Sequence, residues 1–103
     1  MTYRNPHLLR LCHHKPCMLQ IPGVCTGGTN PDRPSVPCHS NMLRHGRGHG
    51  HKSHDCYVVP GCPECHAWLD YGKASRDEKQ DAFMAALERW ILYQWDNELV
   101  EVA

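Results

Sequence analysis

Apolar positions in this chain of 103 residues fall in short runs broken by Gly, Pro and His, and the last third alone sustains a helical period. There Phe83, Leu87, Trp90 and Ile91 recur at three- and four-residue intervals, with Gln94 continuing the face and Ala82 and Ala86 alongside. That spacing places them on one side of a helix, which can bury the stripe. Ser75 followed by Glu78 forms a capping box, so a long helix is predicted over 75–97. Upstream, Pro63 suits the first position of a shorter helix over 63–71, with Gly72 as its stop.

The other apolar runs have strand length. Cys56-Tyr57-Val58-Val59 is rich in β-formers and is stopped by Pro60-Gly61. Residues 36–41 predict a second short strand carrying His39, and residues 18–25 read as a short strand or hairpin turning at Pro22-Gly23. Turn-forming residues dominate 26–37, which reads as a loop. Residues 44–54 alternate His, Gly and Arg; such a run cannot pack a core and predicts a mobile loop. Residues 1–16 are basic and irregular, with Pro6, Pro16 and a His13-His14 pair. No internal repeat is visible.

Length allows a single domain, spanning 1–103: a basic segment to 16, a core over 17–72 and the helix at 75–97. With eight Gly, eight Pro and one Phe, it buries a modest core and needs a staple. Seven cysteines are available for one. Their odd count, and the lack of an apolar run behind Met1-Thr2-Tyr3-Arg4, favour metal ligation in a reducing cytosol over disulfides. No stretch is long and apolar enough to suggest a membrane span.

Charge adds an asymmetry hidden by the net value of zero. Residues 1–54 carry seven Lys or Arg against one acid, Asp32, and eight of the nine histidines. A basic, His-rich half suggests a polyanionic partner, and the acidic half a solvated helix.

Cys17 and Cys25 flank the Pro-Gly turn, and Cys62 and Cys65 stand as Cys-Pro-Glu-Cys with His66 next. Thiolates so spaced suit a tetrahedral zinc site, worth roughly 10–16 kcal/mol of apparent binding free energy in small zinc domains. Cys12, His13 or His14 could replace Cys17 as a ligand. Packing is the expected role of Cys38 and Cys56.

Strand, loop, strand, then a helix that begins inside Cys-x-x-Cys and carries the next histidine is the layout of a ββα-metal unit on a treble-clef-like zinc framework. In this the sequence resembles the HNH endonucleases, and most nearly a small phage and prophage nuclease family, the YbcO-like proteins. The resemblance spans roughly residues 17–70. It rests on Ile21-Pro22-Gly23-Val24-Cys25, on His39 before a Gly-rich stretch, on Lys52 and Asp55 before the second strand, and on Cys62-Pro63-Glu64-Cys65-His66 with Asp70 a turn later. It implies an α+β fold, a small zinc-stapled HNH domain with an added C-terminal helix.

The same resemblance implies a metal-dependent DNA endonuclease of the bacterial cytoplasm, acting in phage DNA recombination or processing. Host recombinase or phage recombination proteins would be its partners. His39 would be the general base and His66 a ligand of a catalytic Mg²⁺ or Mn²⁺ ion. Asp55, together with His54, takes the place of the asparagine that orients the base loop. The sequence departs from the family pattern twice. Cys38 precedes the base histidine where a metal-binding Asp or His is common, and Asp70 stands where a second helix histidine is common; at i, i+4 it could share an ion with His66. Arg44, Arg47 and Lys52 are expected to contact phosphates. Two other readings remain open: a non-catalytic zinc module for nucleic acid or protein, and a redox or metal sensor using Cys12, Cys38 and Cys56. Trp90 is assigned to the core, and Trp95 to either core or base stacking.

Overall fold

A computed structural model describes residues 3–48 and 50–101. Among them are a two-stranded sheet and three α-helices, giving a small α+β fold. Strand β1 (Val36–His39) pairs antiparallel with β2 (Val58–Gly61), placing Pro37 opposite Pro60 and His39 opposite Val58. Two prolines can face each other because that pair lies between ladder hydrogen bonds, where no N–H is required. The ladder continues one residue further through the Ser40 amide, which donates to the Tyr57 carbonyl at 3.0 Å. This register also corrects the expected strand end. β2 begins two residues late and runs through Pro60-Gly61, because a proline outside the hydrogen-bonded pairs does not break it.

All four residues of β2 are buried. A Cβ at Gly61 would fall 2.6 Å from Cys38 Sγ and 2.8 Å from Leu19 Cδ1, so only glycine lets the segment around Leu19 lie on this strand. The other edge of β2 is capped by the same segment, the Met18 amide donating to the Pro60 carbonyl at 2.8 Å. Residues 18–25 are therefore not the expected strand or hairpin. Pro22 and Gly23 close a tight turn in which Val24 and Cys25 both donate to the Ile21 carbonyl, folding Cys25 back instead of pairing it.

Helix α1 (Pro6–Leu11) corrects the irregular reading of residues 1–16. Asn5 caps it, its side-chain oxygen accepting from the His7 amide at 3.1 Å, and Pro6 fills the first turn where no amide partner is needed. Within the described residues of the 44–54 run there is local structure. A 3₁₀ turn covers Leu43–His45, and Gly48 bridges His51. His45 is buried because Ser40 Oγ bonds its Nδ1 at 2.6 Å and Tyr57 stacks on its ring at 3.9 Å.

Helix α2 (Pro63–Tyr71) and helix α3 (Arg76–Asp96) follow the predicted caps. Ser75 Oγ accepts from the Glu78 amide at 3.1 Å and donates to its carboxylate at 3.3 Å. Phe83, Ala86 and Trp90 are buried against the sheet, while Leu87 is half-buried. Ile91 departs from the expected stripe and is 49% exposed: one residue beyond Trp90 turns about 100° away from so small a core. Trp95 is also exposed. Among the described residues no helix is long and apolar enough to cross a membrane.

Candidate functional site

Sheet, turn and helix converge on four sulfurs. Cys17 enters from the segment that edges β2, Cys25 follows the Pro-Gly turn, Cys62 caps α2 and Cys65 lies in its first turn. Their Sγ atoms all lie within 4.8 Å of one another, and three of the four residues are buried. Zinc–sulfur bonds of about 2.3 Å in a tetrahedron place sulfurs roughly 3.8 Å apart, a spacing compatible with this set. This group could hold a metal ion, consistent with structural zinc, and Cys17 belongs to it where Cys12 was the open alternative.

The surrounding backbone favours thiolates. Burial opposes ionisation of Cys62, but the amides of Thr26 and Cys65, each 3.4 Å from its sulfur, outweigh it and bring the thiol down to about 6. Gly27 donates to Cys25 Sγ at the same distance. At Cys65 burial and the charge of neighbouring cysteines push the thiol the other way, a repulsion that a bound cation removes. Cys12 and Cys38 are buried thiols outside the group, Cys12 pushed up to about 12 by burial. Cys56, expected to pack, is exposed.

Beside this cluster lies a cleft of about 360 Å³ lined by His39, Asn41, Arg47, Lys52, His66 and Asp70, among others. β1 brings Cys38 and His39 to opposite faces, so the thiol packs against Gly61 and the imidazole lines the cleft. On α2, His66 Nε2 lies 3.1 Å from Asp70 Oδ2, one helical turn on. Asn41 Nδ2 donates to the other Asp70 oxygen at 3.3 Å.

Asp55 lies behind His39. Its Oδ1 is 2.8 Å from His39 Nε2, and its side chain is only 3% exposed. Burial alone would raise its pKa. Hydrogen bonds from His39 and the Asn5 amide, with the charges of His39 and Arg4, instead hold the carboxyl below its usual range. An ionised carboxylate can only accept, so Nε2, the ring nitrogen facing Asp55, is the one that donates to it.

Several of these contacts were invisible in the sequence. Arg4 donates to the Ser53 carbonyl at 2.6 Å, to Lys52 O at 3.0 Å and to Asp55 Oδ1 at 3.2 Å, strapping the N-terminal segment over the loop that carries Asp55. Asn5 donates its amide to Asp55 Oδ2 at 2.6 Å. The Asn-Pro cap was the one local signal that residues 3–6 are held in place. His54, expected to act with Asp55, accepts from the Tyr3 amide at 2.8 Å and serves that strap. Arg47 and Lys52 line the cleft, but Arg44 does not; it lines a neighbouring hollow with Met42 and Arg76. Compared with protein-family models, curated proteins and solved structures, the chain matches none of them.

Proposed function

We propose that this protein is a metal-dependent DNA endonuclease of HNH type, its ββα-metal unit formed by β1, β2 and α2 on the cysteine site. The observation that carries this reading is the shared cleft: His39, the pair His66 and Asp70, and the loop cations Arg47 and Lys52 come from three separate segments and face one space.

Asp55 holds the imidazole of His39 and stabilises the cation formed when Nδ1 takes a proton from the attacking water. That water's oxygen bonds to phosphorus as the bond to the 3′ oxygen breaks. Arg47 and Lys52 hold the non-bridging oxygens of the phosphodiester and position it without reading sequence. His66 and Asp70 would hold the divalent ion. Their Nε2 and Oδ2 atoms lie 3.1 Å apart on one face of α2, so both could reach one ion. A divalent ion bound there supplies Lewis-acid stabilisation of charge on the phosphate and the leaving oxygen.

Plasmid nicking in Mg²⁺ or Mn²⁺ tests the reading. His39→Ala is expected to lower the rate roughly 10²–10⁴-fold, the usual worth of a general base, with zinc content unchanged. Cleavage indifferent to that substitution rejects the mechanism. No cleavage by wild type with any divalent ion favours the non-catalytic zinc module.

A further inference from the structure

We propose that the hollow between the end of α2 and the first turns of α3 is a nucleotide subsite, receiving an unpaired base from the strand flanking the cut. This rests on the nuclease reading above and adds a substrate class to it: DNA with a single-stranded arm beside the scissile phosphate.

The hollow, of about 330 Å³, shares Asn41 and Asp70 with the cleft, so the two are neighbours across one hydrogen-bonded ridge. Its floor is apolar, made by Met42, Leu69 and Phe83, all of them core residues. Its rim is polar: Arg76, Lys79 and Gln80 come from consecutive turns of α3. A second hollow of about 470 Å³ shares Asn41, Met42, Arg76 and Gln80 with it, and there Arg44 joins the lining and the 80% exposed Leu43 adds apolar surface.

Each part of this lining matches one part of a nucleotide. A base offers apolar faces to the floor and a hydrogen-bonding edge to the amides of Gln80 and Asn41. Its phosphates meet Arg44, Arg76 and Lys79, which form no salt bridge among the described residues, whereas Arg4 and Arg33 do. Asp70, the one acid lining the hollow, is engaged by His66 and Asn41. A base inside a duplex is stacked and paired, and must leave the helix before it can enter such a pocket. An arm already single-stranded avoids that cost and gains the contact.

Fluorescence anisotropy on the zinc-loaded protein, without added Mg²⁺ or Mn²⁺, distinguishes the cases. Three DNAs share one duplex: blunt, forked with an unpaired arm, and forked with an abasic arm. The fork is expected to bind roughly tenfold more tightly than the blunt duplex, and the abasic arm to lose most of that gain. Ala74→Phe fills the hollow without removing a charge and should bring fork affinity down to the blunt level. Arg76→Ala with Lys79→Ala should do the same from the rim, so a misfolded Ala74→Phe, seen in its zinc content and melting curve, leaves the rim variant to decide. Equal affinity for fork and blunt duplex, or an abasic arm that binds as well as a complete one, overturns the subsite. If DNA is still nicked in that event, the nuclease reading stands; if no DNA is bound or cut, both fall together.

Discussion

Asp55 has both carboxylate oxygens in use: one faces His39 and Arg4, the other accepts the amide that opens α1. The group is buried, yet its pKa is lowered, so these partners together favour the charge more than burial disfavours it. A depressed carboxylate contributes stability that is fully present above its unfolded pKa, near 3.9, and is lost as pH falls through the lower folded value. Asp55→Asn should therefore cost about 1–3 kcal/mol at pH 7, from donors left without their charged acceptor. The gap to wild type should narrow below about pH 4. Urea midpoints of both proteins at pH 7, 5, 4 and 3 check this. The cysteine site also binds protons in acid, so the difference between the two proteins is the quantity read, not either curve alone. A gap that stays constant down to pH 3 would show that the Asp55 charge does not stabilise the fold.

Among the elements, the segment edging β2, the Pro-Gly turn and α2 meet at the cysteines, and Cys17, Cys62 and Cys65 are themselves part of the core. A sheet of two four-residue strands has little stability alone. Structural zinc contributes roughly 10–16 kcal/mol where a whole domain has about 5–15, so the ion should decide whether these elements fold. One zinc per chain is expected by elemental analysis, and chelation or Cys65→Ser should abolish the cooperative melt; adding zinc back should restore it for the chelated wild type only. A melt that survives metal removal would assign stability to the apolar packing of α3. The cysteines and both long-range helices were legible because their signals are local: a knuckle spacing, a Pro at a helix start, a Ser–Glu capping box. α1 was not, since six residues give too little period to see. The continuation of β2 through Pro60 depends on Pro37 across the sheet, and the ordering of His45 on Ser40 and Tyr57; neither partner is announced by the composition of the segment itself. In the candidate site, His39, Asp55, His66 and Asp70 could be named from the sequence, but Arg4 and Asn5 act on Asp55 from fifty residues away.

For the molecule as a whole, eleven basic and eleven acidic side chains cancel, so net charge cannot draw it to DNA. At physiological ionic strength charges are screened within about 8 Å, which makes the local arrangement decisive. Arg47 and Lys52 in the cleft, with Arg44, Arg76 and Lys79 along the adjoining hollows, form the cationic track; the acids of α3, such as Asp77 and Asp81, line none of these openings. Each phosphate contact with duplex DNA releases counterions and contributes about −0.9 to the slope of log affinity against log salt. Arg47→Ala and Lys52→Ala should each flatten that slope by about 0.9 on a blunt duplex, and weaken binding alike for unrelated sequences. Arg10→Ala, an exposed cation on α1 that lines none of these openings, should leave the slope unchanged. Titrations at four salt concentrations separate the alternatives. Equal flattening by all three substitutions would mean that DNA meets a diffuse basic half instead of a track ending at His39, and the cleft would lose its claim to the phosphate.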